Sequence, residues 1–140
     1  MKFKPPGPLA DLLGIHPVTF GEGTATFDLT LRDDHMNPYG VVHGGVVYSL
    51  VDTAMGAAVH TRLEPGEACA TVEIKINYLA PATAGDLRAE ARLVERTKRI
   101  AVLEARARVG NQLIAVATGT FYIQTTRSQR DGAQEPLTCQ

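Results

Sequence analysis

Five residues in one stretch of the chain have the types and the spacing that catalysis could use. Asn37, His43, Gly44 and Gly45 precede or open an apolar segment, and Asp52 lies inside it. The first N–H groups of a helix carry partial positive charge and have no intrahelical acceptor, and glycines there let a ligand oxygen approach closely. The pattern predicts an oxyanion site at a helix start, with a carboxylate further along the same helix.

Each of these residues also has a purely structural interpretation. The glycines could relieve crowding where a loop meets a sheet, Asn37 could satisfy its own loop backbone, and His43 could cap the helix. Asp52 could lie on a polar edge of the helix together with hydroxyl side chains such as Ser49 and Thr53. The residue types alone leave both interpretations open.

Asp52 is the most informative of the five residues. An ionised carboxylate in an apolar helix costs several kcal/mol unless it has a partner, and residues 40–61 contain no Lys or Arg. At 1.5 Å per residue, Asp52 lies about 12 Å along the axis from Gly44, too far for both to act on one carbonyl carbon. If both act, they come from different subunits. A two-fold dimer with antiparallel helices would then form two equal sites.

A third candidate feature is a group of basic side chains around one predicted hairpin and the strand after it. Its members are Arg92, Arg96, Lys98, Arg99, Arg106 and Arg108. A solvated sheet face explains such charges, because outward strand positions are commonly charged. The functional alternative is contact with a phosphate, since a net charge of -1 makes this concentration of positive charge local.

Other catalytic signatures are missing from the sequence. Without a G-x-S-x-G elbow, the His43-Gly44-Gly45 run is not the oxyanion loop of a serine hydrolase of that fold. The glycines at 21 and 23 lack the third glycine of a dinucleotide loop and precede a strand. The four histidines show no metal-ligand spacing, so we expect no metal site.

Length and composition predict one small globular domain. The chain has 140 residues, of which 44% are hydrophobic and 21% are charged, as is usual for folded proteins. The near-zero net charge gives no field that would favour nucleic acid or an anionic membrane. No apolar run approaches the ~20 residues of a membrane span, and the start lacks the apolar core of a signal peptide. We therefore expect a cytoplasmic protein.

The pattern along the chain predicts a buried helix and an antiparallel sheet around it. Apolar residues cover almost every face of a helix from about Gly44 to His60, so nearly all its sides should be buried. A short helix before Gly14 precedes it, and short connections between strands favour antiparallel neighbours. Period-two alternation predicts strands at 24–31, 71–78, 87–94, 100–109 and 113–123.

Together these elements define an α+β domain over residues 1–124. Residues 125–140 are polar and show no period, so we predict a disordered tail.

The chemical residues and the strand pattern, taken together, resemble the hotdog-fold acyl-CoA thioesterases of the PaaI type. That family is marked by an Asn, then H-G-G opening the central helix, then an Asp or Glu within it. The likeness runs from about residue 9 to residue 123 and includes residues 77–82 and 117–121. The matching stretches read Asn37-Pro38-Tyr39-Gly40-Val41-Val42-His43-Gly44-Gly45 and Val51-Asp52-Thr53-Ala54.

The resemblance implies a hotdog fold, in which a curved antiparallel sheet wraps a central helix, and hydrolysis of an acyl-CoA thioester to a carboxylic acid and CoA. The Gly44 N–H would polarise the thioester carbonyl, and Asp52 of the partner subunit would act as nucleophile or as general base on water. Asn37 and His43 would orient the water or the thioester. Thr71 matches a position where some relatives carry a Ser that helps to hold the attacking water.

The resemblance also implies how the substrate is held and how the chains assemble. Gly45 and Thr53 would help to bind the substrate, and Lys98 and Arg99 would meet the phosphates of CoA. The only partners implied are the acyl-CoA substrate and further copies of the chain, as a homodimer at least and as a homotetramer in most relatives. It implies no cofactor, no metal ion, no nucleic acid and no membrane.

Two alternatives remain open on the sequence. A hotdog dehydratase or hydratase would need His43 to move a proton at the acyl chain. A non-catalytic hotdog module would bind acyl-CoA and report on it, for which 140 residues leave no output domain. The sequence does not identify the acyl group, because apolar pockets separate substrates that differ by one methylene by only ~1–3 kcal/mol.

Overall fold

The structure is a computed structural model that describes residues 5–126, and these form two α-helices, one short 3₁₀ helix and six strands. Helix α1 spans Pro8–Leu13 and α2 spans Gly44–His60, with the 3₁₀ helix Asp33–His35 between them. The strands are β1 His16–Gly21, β2 Thr24–Thr30, β3 Glu67–Tyr78, β4 Asp86–Arg96, β5 Ile100–Val109 and β6 Gln112–Thr125.

All six strands form one antiparallel sheet in the order β1-β2-β4-β5-β6-β3. Helix α2 packs against one face of this sheet and contacts every strand. The predicted α+β arrangement, a helix wrapped by antiparallel strands within one domain, is therefore confirmed. The final strand, β6, is an inner strand of the sheet and lies between β5 and β3.

Small residues on both surfaces bring α2 close to the sheet. The helix contributes Ala54, Gly56, Ala57 and Ala58 to the core. The inner positions of β4, β5 and β6 are also rich in buried alanines. These are Ala89, Ala91, Ala101, Ala105, Ala107, Ala115 and Ala117. Larger side chains such as Phe27 and Phe121 fill the space beyond them, so the interior is fully occupied.

One side of α2 is less buried than the sequence predicts. Gly45 is exposed, and Tyr48, Ser49, Asp52 and Thr53 are half-buried, whereas the other faces of the helix are closed by the sheet. The expectation that the helix would be covered on nearly all sides is thus wrong for this polar face. It is the face that carries the predicted chemistry.

A β-bulge in β3 decides which of its side chains reach the helix. The pairing with β6 slips between Thr71 and Glu73, so Val72 is the extra residue. Thr71 before the bulge points towards α2, and so do Ile74 and Tyr78 after it, although an unbroken alternation would put Thr71 and Tyr78 on opposite faces.

Strand β1 is absent from the sequence prediction. It pairs with β2 through a tight turn at residues 22–23, at one edge of the sheet. Nearly all its side chains, including Val18 and Phe20, are exposed. Because neither face of β1 is buried, its apolar and polar residues do not alternate, and the sequence therefore carried no signal of a strand there.

The connection between β3 and β4 also differs from the prediction of a hairpin. β3 lies at the sheet edge next to β6, and β4 lies between β2 and β5, so residues 79–85 cross from one part of the sheet to another. They pass the entry to α2, where the Val42 N–H donates to the Ala82 carbonyl at 2.8 Å. Connection length alone predicted antiparallel neighbours here, and that inference is wrong because β5 and β6 lie between β4 and β3 in the sheet.

Strand β6 continues to Thr125, and the Thr126 N–H donates to the Gly66 carbonyl at 2.6 Å. The rest of the predicted tail, from residue 127, lies outside the described residues. Within residues 5–126, no helix has the length and apolar character that crossing a membrane requires.

Candidate active site

The first turn of α2 presents one N–H group that the protein does not use. His43 is the N-cap, and its Nδ1 accepts the Gly45 N–H at 2.8 Å, while its carbonyl accepts the Val46 N–H at 2.9 Å. The Gly44 N–H has no acceptor within residues 5–126. A helix start with a free donor is a favourable place for an oxygen that gains negative charge.

Tyr78, the last residue of β3, closes one side of this turn. Its hydroxyl donates to the Gly44 carbonyl at 2.7 Å. A Cβ on Gly44 would lie 3.1 Å from the Tyr78 ring and hydroxyl, so the position has little room for a side chain. Burial, and secondarily the neighbouring Tyr48, raises the pKa of Tyr78 above its usual value, and the phenol therefore keeps its proton at neutral pH.

Asn37 shapes the loop that leads into the helix. Its Oδ1 accepts the N–H groups of Tyr39 at 2.9 Å and Val41 at 3.3 Å, as the structural interpretation of this residue required. Asn37 also borders a cleft of about 440 Å³ that reaches Gly44, Val47 and Tyr78. Its amide oxygen is thus engaged in the loop, and the amide nitrogen is the group that it can offer to a ligand.

Asp52 lies two turns further along α2 and has a partner in the sheet. The Thr71 hydroxyl donates to Asp52 Oδ1 at 2.7 Å. Burial raises the pKa of Asp52 above its ordinary value, and the hydrogen bond from Thr71 opposes this by a smaller amount. A half-buried carboxylate with a raised pKa is a good proton acceptor for water and also a usable nucleophile.

The hydroxyl groups on the exposed face of α2 bond back to the helix itself. Ser49 Oγ donates to the Gly45 carbonyl at 2.8 Å, and Thr53 Oγ1 donates to the Ser49 carbonyl at 2.7 Å. Thr53 is the neighbour of Asp52 and half-buried. Its hydroxyl proton is therefore occupied, and its oxygen can only accept a further hydrogen bond.

The structure brings the predicted residues together in two groups. Asn37, His43, Gly44 and Gly45 meet at the start of α2, and Asp52 meets Thr71 about 12 Å further along the helix axis. Within one chain these groups are too far apart to act on the same carbonyl carbon.

The basic hairpin lies at the opposite end of α2 from Gly44. Arg96 donates to both carboxylate oxygens of Glu67, at 2.9 and 3.1 Å, and to the carbonyl of Arg62 just beyond the helix. Helix α2 has 17 residues, so Lys98 and Arg99 are roughly 25 Å from the Gly44 N–H of their own chain. Arg99 donates to the Tyr122 hydroxyl at 3.2 Å.

Not all of the basic cluster is available to a phosphate. Arg96 is paired with Glu67, and Arg92 is paired with Glu104 across the outer face of the sheet. The sequence could not show these pairs, because each joins residues on different strands. Within residues 5–126, no three His, Cys, Asp or Glu side chains gather as a metal-ligand group.

The contact between Tyr78 and Gly44 is the feature of the site that the sequence did not predict. The position of Tyr78 near the end of a predicted strand was apparent, but the bulge at Val72 decides which face it occupies. The one signal in the sequence was its place inside residues 77–82, which the family resemblance included.

Comparison with known proteins shows the family of this chain. The sequence profile of the Thioesterase superfamily matches residues 39–116, which include the start of α2, Asp52 and Thr71. A curated relative, the 1,4-dihydroxy-2-naphthoyl-CoA hydrolase of Listeria monocytogenes, is 31% identical over 70% of this chain and 80% of its own length.

Solved structures share the whole architecture. A thioesterase from Haemophilus influenzae is 27% identical, with a TM-score of 0.81 over 88% of this chain and 87% of that one. The PaaI protein from the phenylacetic acid degradation operon of Escherichia coli is 28% identical, with a TM-score of 0.78 over 84% of this chain and 86% of that one.

The wrapped helix and its sheet are therefore the hotdog fold, as predicted. The chain belongs to the thioesterase superfamily, and it is a hydrolase of thioesters with PaaI-type relatives.

Proposed function

We propose that this chain hydrolyses acyl-CoA thioesters to a carboxylic acid and CoA. The observation that carries the proposal is the pairing, on one helix, of a free N–H donor at Gly44 with a half-buried carboxylate at Asp52. Two relatives support CoA as the carrier, because one is a CoA thioester hydrolase and the other, from Escherichia coli, is an acyl-coenzyme A thioesterase.

The proposed chemistry uses the two groups at different points of one reaction. The thioester oxygen accepts the Gly44 N–H and gains negative charge as the carbonyl carbon is attacked, and one such donor is worth roughly 3–4 kcal/mol in other enzymes. Asp52 either takes a proton from the attacking water or attacks the carbon itself to give an anhydride that water then cleaves. In both routes the C–S bond breaks, and the CoA thiolate leaves and takes up a proton.

The two groups meet across a two-fold dimer. Antiparallel packing of two copies of α2 through their polar faces would place Gly44 of one chain beside Asp52 of the partner subunit. Strand β3 supports this assembly, since it is an edge strand with β6 as its neighbour on one side. Its exposed Val72 and Tyr78 are apolar surface of the kind that such an interface buries.

Three further side chains complete the proposed site. Thr71 holds Asp52, His43 fixes the glycine turn through Nδ1 and keeps Nε2 for the thioester or water, and Asn37 offers its amide nitrogen. The backbone of Gly45 is exposed beside the proposed substrate position. The hydroxyl oxygen of Thr53 is free to accept a hydrogen bond from the substrate. These positioning roles leave the chemistry to Gly44 and Asp52.

Lys98 and Arg99 are proposed to meet the CoA phosphates of the neighbouring site. Within one chain they lie far from Gly44, but antiparallel helices bring the C-terminal end of one α2 to the N-terminal end of the other. The hairpin of the partner subunit would then lie about 12 Å or more beyond the Gly44 donor, because eight residues of α2 separate Asp52 from His60. In this arrangement one subunit supplies the Gly44 N–H, and its partner supplies both Asp52 and the basic side chains that contact the CoA phosphates.

The experiment that tests the proposed activity is thiol release from a panel of CoA thioesters. Saturated straight-chain and aromatic acyl-CoAs test hydrolysis, and enoyl-CoA and 3-hydroxyacyl-CoA test the hydratase alternative. Release of CoA thiol with saturated substrates supports the proposal. Interconversion of enoyl and 3-hydroxyacyl thioesters without thiol release would replace it, and saturable binding without any turnover would favour the binding module.

The homotetramer, the cytoplasmic location and the division at residue 124 stay predictions. Sedimentation of the full chain tests the first, since four copies of a 15.0 kDa chain differ clearly from two.

A further inference from the structure

Tyr78 reaches the start of α2 from the sheet and holds a backbone group there. It ends β3, and its hydroxyl donates to the Gly44 carbonyl at 2.7 Å. Its ring also lies 3.1 Å from the point where a Cβ on Gly44 would be. The phenol thus contacts the residue that carries the free N–H, although it comes from an element that is remote in sequence.

Gly44 is the first residue of α2, where a helix can fray, so contacts from neighbouring groups help to keep its two peptide planes in one orientation. Glycine lacks the side chain that restricts rotation about its backbone bonds. The plane between His43 and Gly44 carries the free N–H, and it is held because the His43 carbonyl accepts the Val46 N–H.

The plane between Gly44 and Gly45 is held from both sides. Its carbonyl accepts the Tyr78 hydroxyl, and its N–H donates to His43 Nδ1. His43 is exposed, so the contact from Tyr78 is the one that ties this plane to the body of the sheet.

We infer that Tyr78 is a positioning residue. It holds the Gly44–Gly45 plane, which limits rotation about the backbone bonds of Gly44 and so helps to keep the adjoining N–H pointed at the substrate oxygen before the reaction begins. The inference rests on the proposed function, which gives that N–H its role. Donors of this kind lower the barrier because they are already oriented when charge develops. A glycine turn that is free to rotate would have to be ordered during each turnover.

The phenol suits this role because it remains a donor. Burial raises the pKa of Tyr78, so its proton stays in place across neutral pH. Within one chain Tyr78 is 50% exposed and is not part of the buried core, so removing its hydroxyl leaves that core untouched.

Tyr78→Phe tests the inference, because it keeps the ring and removes only the hydrogen bond. We expect kcat to fall about three- to ten-fold, as for one lost hydrogen bond, with KM changed less than about two-fold. A residue that serves only for packing would give no such separation of kcat from KM. The matched control is Tyr39→Phe, whose side chain is 90% exposed, and it should leave both constants unchanged.

A second measurement does not depend on activity. Amide hydrogen exchange, followed by NMR, should be faster at Gly45 in Tyr78→Phe than in the parent protein, while the melting temperatures agree. The inference requires both the lower kcat and the faster exchange, and the absence of either overturns it.

The two proposals can fail separately. If the parent protein hydrolyses no acyl-CoA, the proposed function fails, and exchange at Gly45 still decides whether Tyr78 holds the turn. If the parent protein is active and Tyr78→Phe matches it, only the inference about Tyr78 fails.

Discussion

Thr71 on β3 donates its hydroxyl proton to Oδ1 of Asp52 on α2, at 2.7 Å and within one chain. This bond crosses from the sheet to the helix at the point where the helix face opens to solvent. It opposes the larger effect of burial, which raises the pKa of Asp52. Thr71, 19 residues away in the chain, thus orients the carboxylate and makes it easier to ionise than burial alone would allow.

Replacing Thr71 by Val should move the pH dependence of catalysis. Without the hydrogen bond the pKa of Asp52 rises further, so the acid limb of the kcat/KM profile shifts to higher pH. Because a hydrogen bond to a charged group is lost, we expect kcat/KM at neutral pH to fall about ten-fold or more. Thr71→Ser keeps the hydroxyl and is the matched control. A Val variant with an unshifted profile would mean that Thr71 does not tune Asp52.

Asp52→Asn should make the protein more stable at neutral pH. Because burial raises the pKa of Asp52 in the folded state above its unfolded value of 3.8, the native protein loses stability as the pH rises through the folded-state pKa. Below pH 3.8 both states are protonated and this cost disappears. Asn has nearly the same shape, avoids the charge and can still accept from Thr71.

The stability prediction is checked by thermal unfolding of both proteins at several pH values. The melting temperature of Asp52→Asn should exceed that of the parent at pH 7, and the difference should shrink as the pH approaches 4. An equal or lower melting temperature at pH 7 would show that the burial of this carboxylate carries no cost.

Mixed dimers should regain activity that neither parent variant has. Gly44→Pro removes the free N–H. The backbone accepts proline there, since residue 44 is the first of α2 and His43 is extended, although the added Cβ requires the Tyr78 side chain to shift by a few tenths of an ångström. In a dimer of Gly44→Pro with Asp52→Asn, one site has both defects and the other is intact. Random exchange of equal amounts should restore about a quarter of the parent activity. Complete inactivity despite verified exchange would argue that Gly44 and Asp52 act within one chain.

Gly119→Val should destabilise the fold without touching the site. A Cβ at Gly119 would lie 2.8 Å from Met55 Sδ on α2 and 3.3 Å from the side chain of Ile74 on the neighbouring strand β3. Overpacking of this kind costs about 1–3 kcal/mol, measurable by denaturant unfolding. The matched control is Thr118→Val on the exposed side of the same strand, which should change stability by less than about 0.5 kcal/mol. Equal stability of the two variants would mean that the core adapts freely.

The parts of the fold that the sequence predicted are those with a local signal. Helix α2 begins at Gly44 and ends at His60, as its apolar pattern indicated, and β5 covers Ile100–Val109 as the alternation predicted. Strand β1 has no buried face and so no alternating pattern. The crossing of residues 79–85 depends on where the ends of distant elements meet, which connection length does not encode.

The same distinction applies to the candidate site. The glycine turn and Asp52 belong to one helix, so their spacing was readable in the chain. Tyr78 and Thr71 reach that helix from β3 on the two sides of a bulge at Val72, and a bulge follows from packing rather than from residue type. The pairing of Arg96 with Glu67 likewise joins distant strands, so the sequence pattern did not show that Arg96 is occupied.

The most direct test of the account is the turnover of Asp52→Asn, measured by thiol release with the best acyl-CoA substrate of the parent protein. Circular dichroism and sedimentation should first show that the variant is folded and assembled like the parent. We predict that kcat falls about a hundred-fold or more, because the group that activates or replaces water is gone. Near-normal turnover in the folded and assembled variant would contradict the assignment of Asp52 as nucleophile or general base.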